Sequence, residues 1–186
     1  MALLSKHPVI QSEDRYISSN TSTGSITSRK VIWASFQSPG GAFNMFSAHT
    51  HWRISALDEE QNSQINRIKS MVSEKEALFP EAVSVVCGDF NGNPTSDFPW
   101  SEGYNTMMTG NLYTDTFLTI YPQANQKPAQ SIYNTIWGDL PGRIDYIFLK
   151  RTILAVVVDS QIIFTGDVVG NVSDHYGVLT KIRIIN

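Results

Sequence analysis

The sequence predicts a single α+β domain over residues 1–186. Several segments are dense in β-branched residues, which is typical of strands, and one segment has the apolar spacing of a helix. The length suits one domain with a proper hydrophobic core, and the apolar fraction of 41% is ordinary for a globular protein. A chain made mostly of strands with one convincing amphipathic helix is an α+β arrangement.

The first quarter of the chain is predicted to hold a surface loop followed by two strands. Residues 2–4 are strand-like, whereas residues 11–30 are rich in Ser, Thr and Asn and are predicted to form a surface loop or a ragged hairpin. Residues 31–36 and 42–47 are predicted strands joined by a Pro-Gly-Gly turn. The second strand runs into a His-Thr-His sequence, so imidazole groups stand at its end.

One amphipathic helix is predicted after these strands. Asp58 can cap its start, and Gln61, three residues later, can reach back as in a capping box. The run ends at Phe79, which precedes a proline. The apolar positions between these points follow helical spacing: Ile65, Ile68 and Val72.

The second half of the chain is predicted to alternate between buried strands and a long connection. Residues 93–130 are a turn-rich connection, with residues 115–118 as its only compact apolar stretch. The predicted strands are residues 82–87, 144–149, 153–164 (bent or broken) and 178–185.

Charge and cysteine content narrow the class of partner. Seventeen acidic against fourteen basic residues give a net charge of −3. The sequence has no dense basic tract, so it does not predict strong non-specific attraction to nucleic acid. The single Cys87 excludes an internal disulfide and is interpreted as a buried apolar residue. No apolar run approaches the roughly 18 residues of a membrane span. The amino terminus lacks the length and charge order of a secretion signal, so the compartment stays open.

The segment Gly88-Asp89-Phe90-Asn91 is the first candidate functional site. Glycine permits a tight turn at the end of a strand, and alternation places Asp89 and Asn91 on one face. A carboxylate beside a carboxamide can orient water and hydrogen-bond a phosphoryl oxygen. The competing interpretation is a turn in which these residues only satisfy backbone groups.

A second candidate site combines Ser173-Asp174-His175 with Asp145. Asp174 can bind a divalent metal, and the adjacent imidazole can transfer a proton near neutral pH. Asp145 lies in an otherwise apolar strand, where an unpaired charge is costly. We predict that His175 is its partner rather than Arg143, because residues two apart on a strand share a face without close contact.

A third imidazole stands in Thr50-His51, again at a strand end. His51 can contact phosphate, but His49 or His51 can equally be a satisfied core histidine.

Taken in order, these segments resemble the endonuclease/exonuclease/phosphatase superfamily, which contains DNase I-like metal-dependent phosphoesterases. Gln64 and Arg67 of the predicted helix also match it. The matching motifs are Leu3-Leu4-Ser5-Lys6-His7-Pro8, Thr50-His51, Gly88-Asp89-Phe90-Asn91, Arg143-Ile144-Asp145-Tyr146-Ile147-Phe148 and Ser173-Asp174-His175.

The resemblance implies a four-layer α/β/β/α sandwich and a hydrolase that normally uses Mg²⁺, with Mn²⁺ as the alternative. By similarity, Asp89 orients or deprotonates the attacking water, and Asn91 helps to hold the phosphoryl group. The metal and the donors offset the negative charge that builds at phosphorus.

The resemblance also assigns roles to the remaining candidates. Asp145 pairs with His175, whose ring contacts the scissile phosphate. His51 is a further phosphate contact. Asp174 is a metal-site carboxylate, and Asp89 is expected to help hold the same ion.

The chain departs from the family at its front. Family members carry an Asn and a metal-binding Glu before the motif that begins here near Ala2, and neither has a match. The resemblance therefore implies a domain truncated at the front, with weak metal affinity and a sheet that leaves an apolar face and an open edge exposed.

Two functions are predicted at this point. The first is a magnesium-dependent phosphoesterase acting on nucleic acid, a phospholipid head group or a small phosphodiester. The alternative is a non-catalytic fragment or remnant of the fold that acts as a binding module. Specificity is expected to reside in residues 93–130, because loops over a site select substrates.

Overall fold

A computed structural model of the chain describes residues 1–21, 28–53, 55, 59–97, 99–126, 135, 142–166, 170 and 173–185. The α+β class is confirmed. The elements are β1 (Val9–Tyr16), β2 (Lys30–Ser38), β3 (Gly41–His49), α1 (Glu60–Leu78), β4 (Val83–Asp89), α2 (Glu102–Met108), β5 (Tyr113–Asp115), α3 (Thr116–Ile120), β6 (Asp145–Lys150), β7 (Ala155–Ile163) and β8 (Gly177–Ile184).

Six strands form one mixed sheet in the order β1-β2-β3-β4-β6-β5. Strands β3 and β4 are parallel and are connected through α1, and the other neighbouring pairs are antiparallel. Strands β7 and β8 form a two-stranded antiparallel sheet with a bulge between Val157 and Asp159. This bulge is the bend predicted within residues 153–164.

The six-stranded sheet is covered on both faces. Helix α1 packs on one face, and the two-stranded sheet packs on the other. The first contact buries a large cluster that includes Trp33, Phe46, Ile65, Ile68, Val86 and Phe148. The second is built on Val83, Val85, Leu149 and Ala155. Apolar contact on both faces holds the central strands in place and makes them a rigid base for polar groups at their ends.

The prediction for the amino-terminal stretch is wrong at residues 2–4, which do not form a strand. Strand β1 ends at Tyr16 and pairs antiparallel with β2, which agrees with the hairpin alternative predicted for residues 11–30, of which residues 22–27 lie outside the described part. β1 is an edge strand, and its mostly polar side chains do not show the apolar alternation by which a strand is recognised in a sequence. Glu13 accepts a bond of 2.5 Å from Lys75 of α1, whose buried ammonium lies 4.4 Å from the centre of the Trp33 ring.

The turn-rich connection predicted for residues 93–130 also contains regular structure. Helix α2, strand β5 and helix α3 all lie within it. Helix α2 is short, but Tyr104 and Met107 are buried in the main core, so tertiary packing stabilises a helix that the local pattern does not indicate.

The start of α1 differs from the predicted capping box. Asp58 lies outside the described residues, and α1 has Glu59 at its N-cap without a side-chain cap bond. Gln61 points inward and donates to the carbonyl oxygens of His51, Phe90 and Asn91 at 2.9, 3.0 and 3.1 Å. It therefore ties α1 to the ends of β3 and β4 rather than to its own helix start.

Asp115 and Arg143 form a buried ion pair at the junction of β5, α3 and β6. One guanidinium nitrogen of Arg143 lies 2.9 and 2.8 Å from the two carboxylate oxygens of Asp115. The Asp115 carboxylate also accepts the backbone N–H groups of Phe117 and Leu118, both at 3.1 Å, and so caps α3. Arg143 is thus paired with Asp115, which leaves Asp145 to another partner.

The two-stranded sheet has three partly exposed apolar side chains among polar ones. Val156, Val158 and Leu179 are 37%, 43% and 49% exposed.

Within the described residues, no helix has both the length and the apolar character needed to cross a lipid bilayer. Cys87 is a free thiol, and burial raises its pKa to about 11, so it stays protonated at neutral pH.

Replacing Asp115 with alanine is expected to destabilise the fold by about 3–5 kcal/mol, because the Arg143 charge is then left buried without its partner. Urea denaturation followed by circular dichroism measures this change. Asp159→Ala is the control, because Asp159 accepts an exposed hydrogen bond from Gln161. A loss below about 1 kcal/mol at Asp115 would contradict the importance of the pair.

Candidate active site

Three neighbouring strands end in polar residues that lie side by side. His49 of β3 pairs in register with Asp89 of β4, and Asp89 pairs in register with Asp145 of β6. Side chains of directly paired residues project from the same face of a sheet. The strand register therefore places an imidazole and two carboxylates in one row at the ends of the central strands.

His175 joins this row from the segment that precedes β8. Its Nδ1 lies 2.8 Å from Oδ2 of Asp145. Candidate ligand atoms of Asp89, Asp145 and His175 all lie within 4.8 Å of one another. We call these three residues the Asp–Asp–His cluster. The contact between His175 and Asp145 agrees with the predicted pairing, and the pairing of Arg143 with Asp115 removes the competing partner.

A close approach between β3 and β4 places Asp89. Gly88 has φ +134°, and a Cβ atom there would lie 1.9 Å from the carbonyl oxygen of Ala48. Only glycine fits such a conformation and such a contact. Beyond the strand end, the backbone N–H of Thr50 donates to the carbonyl of Asp89 at 2.9 Å, which extends the link between the two strands.

Thr135 positions the Asp145 carboxylate. No sequence pattern predicted this role for Thr135. Its hydroxyl accepts the backbone N–H groups of Ile144 and Asp145 at 3.0 and 3.1 Å. Its carbonyl accepts the backbone N–H of Tyr176 at 2.8 Å. One buried threonine therefore links the start of β6 to the segment that carries His175.

Burial and mutual repulsion perturb the carboxylates of the cluster. Burial, with the charge of Asp145 as the next cause, raises the pKa of Asp89 to about 6. Burial also raises the pKa of Asp145, although His175 opposes this shift. Two half-buried acids that resist ionisation side by side form a site that a bound cation would stabilise.

The two histidines beside these acids shift in opposite directions. Burial lowers the pKa of His49, against the attraction of Asp89. Burial works in the same direction on His175, but Asp145, with Asp89 and Asp174, outweighs it and raises the pKa of this ring. His175 is therefore the ring that more readily carries a proton.

Not every predicted site residue joins the cluster. Asn91 is 7% exposed, and its Nδ2 donates to the carbonyl oxygen of Thr50 at 2.9 Å. The backbone of His51 is held by Gln64 and Gln61 of α1. Asp174 is exposed and lies 3.3 Å from the Ser173 hydroxyl. Among the described histidines and acids, the group of candidate ligands includes neither His51 nor Asp174.

His49 is the site residue to which the sequence patterns assign no role. Its Nε2 lies 3.3 Å from Oδ2 of Asp89. In the sequence, His49 could be noticed only because it stands at a strand end, two residues before His51. That position does not distinguish a core histidine from a site histidine, because only the strand register brings His49 beside Asp89.

The chain belongs to the Endonuclease/Exonuclease/phosphatase family, because the family's sequence model matches residues 1–175. The family resemblance inferred from the motifs is therefore confirmed. A search among curated proteins finds no match.

Solved structures share the fold at low sequence identity. A family protein from Leptotrichia buccalis is 20% identical with a TM-score of 0.69, covering 95% of this chain and 61% of its own. The mannosyl-6-phosphatase of Bacteroides thetaiotaomicron is 16% identical with a TM-score of 0.70, covering 95% and 67%. The human Nocturnin catalytic domain with bound sulfate is 17% identical with a TM-score of 0.69, covering 96% and 60%. The chain thus spans about three fifths to two thirds of these proteins.

Gly88→Ala is expected to lower the free energy of unfolding by more than about 3 kcal/mol, because it adds a backbone clash to an unfavourable φ. Gly110→Ala is the matched control. Gly110 also has a positive φ, of +84°, but its Cβ would meet only the Leu112 side chain, at 3.6 Å. Equal losses in urea denaturation would contradict the close approach at Gly88.

The His175 ring is expected to titrate above its usual pKa of 6.5 in the metal-free protein, and Asp145→Asn is expected to lower that pKa. The pair then stabilises the fold fully below pH 6.5 and loses this contribution as pH rises through the folded pKa. Nuclear magnetic resonance of the ring protons measures both values. An unchanged His175 pKa in the variant would contradict the pairing.

Proposed function

We propose that this chain is a divalent-metal-dependent hydrolase of phosphate esters. The observation that carries the proposal is the convergence of Asp89, Asp145 and His175 within 4.8 Å. These groups come from two strands and a separate segment, and they meet where the family motifs stand. Two acids and an imidazole combine cation binding with proton transfer, and phosphate-ester hydrolysis needs both.

The donor set fits a divalent cation. Carboxylate oxygens suit Mg²⁺ and Mn²⁺. The raised pKa values of Asp89 and Asp145 point to crowded negative charge that an ion would relieve. We assign Asp89 as a ligand, and Asp174 as a second carboxylate that can approach from its exposed position. Mg²⁺ is the proposed ion, with Mn²⁺ as the alternative. The ion would polarise the phosphoryl group and offset its developing charge.

The Asp145–His175 pair is proposed to act on the phosphate. Because Nδ1 of His175 faces Asp145 at 2.8 Å, Nε2 is the ring atom available to a phosphate oxygen. The acid orients the ring and favours its protonated form, and a protonated ring stabilises negative charge on the phosphoryl group.

Asp89 is proposed to orient the attacking water and to accept its proton. An ionised carboxylate at this position can hydrogen-bond a water and take its proton as the water attacks phosphorus. The phosphate contacts proposed for Asn91 and His51 remain predictions. The Nδ2 of Asn91 is already bonded to Thr50, and this bond favours a role in holding the loop.

We also infer that the complete architecture is the four-layer α/β/β/α sandwich of the family. The layering of α1, the six-stranded sheet and the two-stranded sheet supports this inference, as do the TM-scores of 0.69 and 0.70.

The substrate class is proposed as a phosphate ester without a commitment to nucleic acid. Similar structures include a mannosyl-6-phosphatase and D. rerio TDP2 in complex with a single-strand DNA product. The net charge of −3 and the absence of a basic tract in the sequence favour a small ester or a lipid head group over extended nucleic acid.

The second candidate function is a binding module without catalysis. One observation favours it: the described cluster provides only two carboxylates, and Asp174 stands outside it. Such a module would bind phosphate or a partner on the same surface and would not turn over an ester.

The test is hydrolysis of bis(p-nitrophenyl) phosphate and p-nitrophenyl phosphate with Mg²⁺ or Mn²⁺. Asp89→Asn and His175→Ala are each expected to lower the rate at least about 100-fold, because each removes a proton-transfer or charge-stabilising group. A chelator is expected to have a similar effect. His7→Ala and Asp159→Asn are controls that keep the wild-type rate. Hydrolysis indifferent to the chelator and to both site variants would contradict the enzyme, and phosphate binding without turnover would favour the module.

A further inference from the structure

His49 lies beside the Asp–Asp–His cluster and has no role in the mechanism above. It ends β3, and its position is fixed by the register pair with Asp89 on the neighbouring parallel strand. Its side chain is 41% exposed, whereas that of Asp89 is 15% exposed. A solute can therefore reach the ring from outside while meeting the half-buried carboxylate.

The Asp89 carboxylate is oriented so that one oxygen is directed toward this ring. Oδ1 accepts the backbone N–H of Asn91 at 2.8 Å, and Oδ2 lies 3.3 Å from Nε2 of His49. A nitrogen and an oxygen that are neighbouring ligands of one cation at about 2.0–2.2 Å stand about 3.0 Å apart on an octahedral ion and about 3.3 Å apart on a tetrahedral one. The observed separation therefore suits two donors of a single ion.

We propose that His49 is a metal ligand that shares an ion with Asp89 and gives the site a higher affinity for Mn²⁺ and Co²⁺ than a site with oxygen ligands alone would have. This inference rests on the metal site of the proposed function and specifies its cofactor. Carboxylates alone suit Mg²⁺, whereas imidazole suits first-row transition metals such as Co²⁺ and Zn²⁺, and Mn²⁺ accepts both donor types.

The competing role for His49 is that of a positioning residue that only holds the Asp89 carboxylate. The two roles differ in the effect that removal of the ring has on metal affinity. Loss of a nitrogen ligand weakens the binding of Co²⁺ far more than that of Mg²⁺, because Mg²⁺ prefers oxygen ligands and keeps several waters. Loss of a positioning contact acts through Asp89 and weakens both metals alike.

The experiment is calorimetric titration of the whole chain with Mg²⁺, Mn²⁺ and Co²⁺, separately. His49→Ala is expected to weaken Co²⁺ binding at least about tenfold and Mg²⁺ binding less than about threefold. His49→Asn returns an oxygen donor and is expected to keep Mg²⁺ binding near the wild-type value without restoring Co²⁺ binding. His7→Ala removes a histidine that packs against Phe43 and is the matched control. Thermal unfolding of each variant checks that the fold is retained.

Pulsed electron paramagnetic resonance of the Mn²⁺-loaded protein provides a second, direct measurement. Histidine nitrogen coupling is expected in the wild type, and His49→Ala is expected to lose the coupling that this ring contributes. Unchanged coupling, or equal loss of Mg²⁺ and Co²⁺ affinity, would overturn the inference in favour of positioning.

Hydrolysis is measured separately, so the two proposals can fail independently. Metal binding that depends on His49 in a protein that hydrolyses neither ester would leave this inference standing and reject the enzyme. Metal-dependent hydrolysis with binding constants unaffected by His49→Ala would do the reverse.

Discussion

The parallel contact between β3 and β4 is the constraint on which the site depends. Gly88 allows the two backbones to approach so closely that any side chain at that position would overlap the Ala48 carbonyl. This approach fixes the register that sets His49 beside Asp89, and the antiparallel pairing with β6 then adds Asp145. Because the central strands pack between α1 and the two-stranded sheet, a shift of register by one residue would turn their side chains to the opposite face of the sheet, and the row of polar groups would be lost.

Two acid–base pairs near the start of β6 differ in burial and in what they can do. Arg143 is buried against Asp115, where it joins β5, α3 and the start of β6. That pairing leaves Asp145 to His175, whose ring is 30% exposed and open to a ligand. Residues two apart in sequence thus face different partners, one closed inside the fold and one at the surface. A fully buried pair joins elements inside the fold, whereas the ring of a half-exposed pair can exchange protons with solvent.

The motifs around Asp89, Asp145 and His175 could be recognised in the sequence because each follows or begins an apolar strand and carries distinctive residue types. The residues of the cluster could therefore be predicted from the sequence. Asn91 and Asp174 share the same motifs, yet their side chains face Thr50 and solvent, since a motif does not define the rotamer or the partner of each member. Thr135 and His49 could not be assigned, because the contacts that give them a role join segments distant in sequence.

The sequence by itself determined the α+β class, the family, the central strands and the acids and imidazoles available for chemistry, because hydrophobic patterns and short motifs are local properties. Only the tertiary structure decided that β1 forms from a charged segment, that α2 and α3 occupy a turn-rich connection and that His49 meets Asp89. Each of these outcomes depends on long-range packing or strand register, which supplies partners that no local pattern contains.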